Sequence, residues 1–147
     1  MLQNSELPAQ SDSVFIEKFS NAMHLGMIQD WAKARNHGVP EEHDMPALGA
    51  VAFVNGAPIA VGHIRRVEGG YGQIDGFITN PHADPEMRNK ALDVLLTHLL
   101  REAESKCRRG ILSFSRDKNT IARAERHGFT RMPKEFVLLG FNPAKAK

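Results

Sequence analysis

The sequence has little of what marks a specialised class. It contains one cysteine, Cys107. That excludes an internal disulfide framework and a multi-cysteine zinc site, and it suits a reducing compartment. No apolar run approaches the roughly 18 residues of a membrane span. The start of the chain, Met1 to Ser13, is polar and lacks the apolar stretch of a secretory signal. The expectation is a chain that neither crosses a membrane nor leaves the cell by a signal peptide. At 147 residues it has room for one ordinary domain and not for two.

What is present is 41% hydrophobic and 24% charged residues, a globular balance. The net charge of +2 hides a division along the chain. Residues 1–83 carry five Lys/Arg against nine Asp/Glu; residues 84–147 carry fourteen against eight. A basic half of this kind suits an anionic ligand, nucleic acid or an acidic neighbouring subunit. Solvated faces of one domain are the simpler account.

Hydrophobic periodicity predicts the elements. Val14 to Phe19 reads as a short strand. Ser20 or Asn21 caps a helix reaching about Asn36, with Met23, Met27, Ile28, Trp31 and Ala34 on one face. Gly38 is the expected left-handed residue at its end. A loop over 39–46 precedes the strand Leu48–Val54. Asn55-Gly56 is a strong hairpin signal, leading to a return strand over Ile59–Val67. Glu68-Gly69-Gly70 turns into a third strand, Tyr71–Thr79. Asp84-Pro85-Glu86 combines an acceptor cap, a proline at the first helical position and an acid in the first turn. Leu92, Leu95, Leu96, Leu99, Leu100, Ala103 and Cys107 continue that helix as an apolar stripe. Ile111–Ser115 is predicted as a strand, Asn119–His127 as a helix stopped by Gly128, and Glu135–Phe141 as a last strand. The order β-α-β-β-β-α-β-α-β predicts an α/β (α+β) fold. Its central sheet is mixed and mostly antiparallel, with helices on both faces. Residues 1–12 read as a polar extension, 13–141 as a single domain and 142–147 as a tail.

This order resembles that of the GNAT superfamily, the acetyl-CoA-dependent N-acetyltransferases. Three stretches carry the resemblance: the hairpin Leu48–Val67 with the strand Tyr71–Thr79, the segment Pro85-Glu86-Met87-Arg88-Asn89-Lys90-Ala91-Leu92-Asp93 entering a long helix, and Asn119-Thr120-Ile121-Ala122 closing at His127-Gly128-Phe129. The resemblance implies that Arg88, Asn89, Lys90, Ala91, Leu92 and Asp93 stand where the family binds the coenzyme A pyrophosphate. Phe77, Ile78 and Thr79 would hold the pantetheine arm, with Asn119 beside it. Helix N-termini bind anions through free N–H groups, and glycines let phosphate approach the backbone. Here Ala91 replaces the first glycine of the family loop, and Asp93 brings a carboxylate to its last small position. A helix that begins at Asp84 would also commit the N–H groups of residues 89–93 to its own ladder. The family's common catalytic tyrosine is matched by Ala124; the one tyrosine, Tyr71, begins a strand. Asp75 and His63 are the candidate bases.

Other constellations are weaker. His37, Glu42, His43 and Asp44 in one loop, and His82 with Asp84, lack recognised metal spacing, so no metal is expected. The basic run Arg101, Lys106, Arg108, Arg109, Arg116, Lys118, Arg123 and Arg126 contains only Phe114 as an aromatic, which argues against nucleic acid. Cys107 falls on the apolar stripe and reads as core. Ser113 and Ser115 sit outside any nucleophile-elbow motif.

Two functions follow. One is transfer of an acetyl group from acetyl-CoA to an amine. The other is a non-catalytic protein that keeps the fold, binds no cofactor and acts through protein subunits, its own copies or others. The segments after Arg88 and from Arg123 also look like degenerate acetyltransferase-like proteins of tailed bacteriophages. That resemblance implies a virion or assembly component, located in the virion or the host cytoplasm. The degraded loop and the missing tyrosine favour the second function.

Overall fold

A computed structural model describes residues 13–132 and 139–145. Within it the chain forms two compact units, one ending at Ser115 and one beginning at Arg116.

In the first unit, strand β1 (Val14–Lys18) leads into helix α1 (Asn21–Ala34). A 3-10 turn at Glu42–Asp44 precedes strands β2 (Leu48–Val54), β3 (Ala57–Val67) and β4 (Tyr71–Thr79). Helix α2 (Pro85–Ala103) and strand β5 (Gly110–Leu112) complete the unit. The sheet order is β1-β2-β3-β4-β5, antiparallel except for the parallel pair β4–β5. This is the mixed, mostly antiparallel sheet that the sequence predicts. Asn55 and Gly56 both take positive φ, 51° and 82°, and make the tight link between Val54 and its partner Ala57.

Strand alternation divides the core between the two sheet faces. Leu48, Ala50, Ala52 and Val54 point to one face and pack against Ala91, Leu95, Leu99 and Ala103 of α2. Val51 and Val61 point to the other and pack against Ile28 and Trp31 of α1. The small residues Ala50, Ala52, Ala60 and Ala91 are all fully buried, which lets α2 lie close on the strands.

Several boundaries differ from the sequence expectation. Helix α1 stops at Ala34, and the left-handed residue beyond it is Asn36 (φ 54°), not Gly38. The His37 N–H donates to the Ala32 carbonyl and the Asn36 N–H to the Lys33 carbonyl, closing the helix two residues early. Asparagine tolerates that conformation through its short polar side chain. Helix α2 ends at Ala103, before Cys107, although the cysteine remains buried in the α2-side core. Strand β5 has three residues where five were expected, and the 39–46 loop contains a 3-10 turn. Residues 135–138 of the last predicted strand lie outside the described residues, as does the 1–12 extension; 139–141 form no strand.

The second unit holds helix α3 (Lys118–Arg126), capped by Asp117. It closes as the sequence implies: Gly128 takes φ 93°, and the Phe129 N–H donates to the Ala124 carbonyl. Arg131 pairs with Glu125 at 3.1 Å, and a 3-10 turn follows at Pro143–Lys145. No helix among the described residues is long and apolar enough to cross a membrane.

Candidate functional site

Strands β4 and β5 pair only from Tyr71–Gly110 to Gln73–Leu112. Strand β5 then ends while β4 continues to Thr79. Beyond Gln73 the β5-facing edge of β4 therefore has no strand partner among the described residues, and a notch opens there. The same part of β4 is irregular. Gly62 opposes Phe77 but Ile64 opposes Ile74, so Asp75 and Gly76 together face His63. This is a β-bulge, and Gly76 within it adopts a positive φ of 81°. Phe77, Ile78 and Thr79 follow the bulge along the open edge. Phe77 packs into the α2-side core, Ile78 into the α1-side core, and Thr79 opposes Ala60.

The turn from β4 to α2 is tightly tied. The Asn80 side chain donates to the Pro58 carbonyl at 3.1 Å and accepts the His82 N–H at 2.9 Å. Asp84 then caps α2: its carboxylate accepts the Met87 N–H at 2.9 Å. Pro85 has no N–H, and the Arg88 N–H donates to the Asp84 carbonyl at 3.1 Å. Of residues 85–87, Glu86 alone is left to offer a first-turn N–H, beside its own carboxylate. Arg88, Asn89, Lys90, Ala91, Leu92 and Asp93 lie in the second and third turns of the helix, not in a loop. Ala91 is fully buried, and the Asp93 carbonyl accepts the Thr97 hydroxyl at 3.0 Å.

At this helix start the Asp84 carboxylate takes an N–H that an anion would otherwise use, with Glu86 adjacent. At about 4 Å and an effective dielectric near 20, each like-charge contact would cost about 4 kcal/mol. One feature at this end favours anions. Burial, with the nearby Arg88 charge, holds the Arg35 guanidinium below its usual range. Arg35 follows α1 and Arg88 belongs to α2, near enough for the Arg88 charge to bear on Arg35.

Of the two candidate bases, His63 is buried on the α1 side of β3. Its imidazole lies over Gly49, where a Cβ would come within 2.3 Å of the ring. The Phe19 ring meets it edge-on at 4.5 Å. Asp75 lies in the bulge, and its side chain falls outside the described part of the structure. The sequence reading missed two neighbours. His24 is buried in α1; its Nδ1 accepts the Ser20 N–H at 3.0 Å, and its Nε2 meets Glu17 of β1 at 3.2 Å. Because Nδ1 accepts, Nε2 carries the proton that Glu17 receives. The signal was available: His24 stands four residues after the cap Ser20, close enough to turn back onto its N–H.

Tyr71 starts β4, at the opposite end from Thr79. Ala124 and Asn119 belong to α3 in the second unit, where the Asn119 N–H contributes to holding the Asp117 carboxylate ionised. Ligand atoms of Glu41, His43 and Asp44 lie within 4.8 Å of one another, but Glu41 and Asp44 use their carboxylates to cap the 3-10 turn reciprocally. His37, Glu42 and His82 are not in that group.

No family model matches the sequence, and no curated protein matches it. Solved structures do. An aminoglycoside N-acetyltransferase in complex with CoA is 18% identical over 93% of this chain and 99% of its own, with a TM-score of 0.63. A GNAT-family acetyltransferase from Streptococcus pneumoniae is 12% identical over 89% and 99%, with a TM-score of 0.64. The ribosomal-protein-S18-alanine N-acetyltransferase of Escherichia coli is 19% identical over 82% and 79%, with a TM-score of 0.56. A notched five-strand sheet, a β4 bulge and a long helix after β4 are thus found in a chain that has the fold of the GNAT acetyltransferases.

Proposed function

We propose that this chain is a GNAT-fold protein that has given up coenzyme A binding and works through protein–protein contacts, as a virion or assembly component would. The observation that carries the reading is the Asp84 carboxylate on the Met87 N–H. A helix start that supplies its own anion has little left for a pyrophosphate. Pro85 and Glu86 act in the same direction. The acidic first part and basic second part of the chain give complementary surfaces for neighbouring subunits. Exposed Phe15 on the edge strand β1 and exposed Met23 on α1 add apolar contact area.

Titration calorimetry of the whole protein with acetyl-CoA tests this. No heat is expected up to millimolar ligand; micromolar binding overturns the reading. Light scattering supplies the other arm, since a contact protein should assemble with copies of itself or with a co-expressed partner.

Acetyl transfer is the second reading, and one observation favours it. The Arg88 charge bears on Arg35, so two cations from different helices act on each other. If coenzyme A binds, Arg88→Ala should weaken it at least tenfold, the usual scale for a charge-assisted contact.

A further inference from the structure

The far end of the sheet carries a different arrangement. Between the start of β2, the end of β3 and the turn after α2 lies a cleft of about 340 Å³. Leu48 and Ile64 line it with Pro46, and its charged lining residues are Arg65, Arg66 and Lys106, all cations.

Local packing explains how these cations meet. Arg66 opposes Gly72 across the β3–β4 ladder. A Cβ on Gly72 would lie 2.7 Å from the Cys107 sulfur, so the glycine admits the segment after α2 against the strands. The Cys107 and Lys106 N–H groups both donate to the Ala103 carbonyl, which fixes that turn and carries Lys106 to Arg66. Arg65 is pinned by its own bond, Nη2 to the Asp44 carbonyl at 3.1 Å. No ion pair joins Arg66 or Lys106 to a carboxylate among the described residues. Tyr71 and Thr79, at the two ends of β4, are separated by about 26 Å at 3.3 Å per residue, so the cleft is distinct from the start of α2.

We propose that this cleft is an anion site for a small phosphate-bearing ligand. Arg66 and Lys106, cations from two chain segments, border a concavity whose lining among the described residues includes no carboxylate. Guanidinium and ammonium groups together suit phosphate oxygens, with the guanidinium offering two parallel donors. The volume lies at the small end of ligand pockets, which favours a compact anion over an extended acidic chain. Leu48 and Ile64 provide an apolar wall for the body of an organic phosphate.

The test is a titration of the full chain with inorganic phosphate and with pyrophosphate, followed by amide NMR at constant ionic strength. Saturable shifts are expected at residues 64–66 and 106. Arg66→Ala and Lys106→Ala, both at exposed positions, should each weaken binding about tenfold. Arg88→Ala should leave it unchanged. Uniform, unsaturable shifts would overturn the proposal, as would affinity that survives Lys106→Ala and Arg66→Ala together. Loss of binding in Arg88→Ala would move the site to α2 and overturn it too. An oligoglutamate peptide that binds more tightly than pyrophosphate would replace the small ligand with a protein segment.

Discussion

Each face of the sheet seats an aromatic ring on a glycine of the neighbouring strand, and the two rings differ in chemistry. On the α2 side, Phe77 of β4 lies over Gly62 of β3, where a Cβ would come within 2.1 Å of the ring. On the α1 side, His63 of β3 lies over Gly49 of β2, with the corresponding distance 2.3 Å. The surroundings follow the rings. Around Phe77 the packed side chains are apolar, and Leu99 closes in from the helix. Around His63 stand Phe19 and, against the same phenyl ring, His24 with its partner Glu17. Both buried polar residues among those described, His24 and His63, belong to the α1 side. One face is a dry support. The other holds two imidazoles out of water.

The largest expected effect lies on the dry face. Leu99 is fully buried in the α2-side core, and Leu99→Ala should cost about 2–5 kcal/mol in urea unfolding, the range for a buried leucine. Gly62→Ala should follow at about 1–3 kcal/mol, because Phe77 has to leave its seat. On the polar face, Gly49→Ala displaces His63 and is expected to cost about as much as Gly62→Ala. Its distinguishing mark is a changed His63 imidazole resonance. A loss from Gly49→Ala larger than that from Leu99→Ala would reverse the comparison and make the polar face the main support.

His24→Ala comes next. It removes the acceptor of the Ser20 N–H and the donor to Glu17, so about 1–3 kcal/mol should be lost. If the two contacts form one unit, Glu17→Ala made in the His24→Ala background should cost little more. Additive losses would separate them.

The strands were legible in the sequence because each is bounded by turn chemistry: Asn55-Gly56 on one side of the hairpin and Gly69-Gly70 on the other. The cap at Asp84 was legible for the same reason, since a short acceptor, a proline and an acid specify a helix start locally. The placement of Arg88 to Asp93 in a helix follows from that cap, whereas the family resemblance drew them as a loop. What was not legible depends on distant partners. The left-handed residue beyond α1 is Asn36, where the sequence pointed to Gly38, because the closing N–H bonds of Asn36 and His37 decide it. The bulge at Asp75–Gly76 arises from register against β3 and leaves no local signature beyond the glycine. The meeting of Arg66 and Lys106 requires Gly72 and Cys107 to pack, four positions spread over two strands and a turn.

Smaller effects belong to the helix starts. Asp84→Ala should cost about 1 kcal/mol, within the 0.5–2 kcal/mol range of such caps, and should expose the Met87 N–H. It also sharpens the functional reading. If the self-supplied carboxylate is what opposes a pyrophosphate, Asp84→Ala should bind coenzyme A more tightly than the wild-type chain does. Unchanged affinity would shift the block to Pro85 and Glu86.

The least costly test concerns α3. The Asp117 carboxylate accepts the Thr120 N–H at 2.7 Å and its hydroxyl at 2.8 Å, and these bonds hold its pKa below the ordinary value. Burial opposes them, and the Asn119 N–H and the Arg123 charge add lesser contributions in the lowering sense. A carboxylate whose folded pKa is depressed stabilises the folded form above its unfolded pKa and loses that contribution as pH falls through the folded value. The Thr120 amide resonance should therefore be flat from neutral pH down into the ordinary carboxylate range, then move with a midpoint below it. Asp117→Asn should remove that transition while keeping an acceptor at the cap. A Thr120 midpoint at or above the ordinary aspartate value would mean that the cap is open in solution, and α3 would then start one turn later.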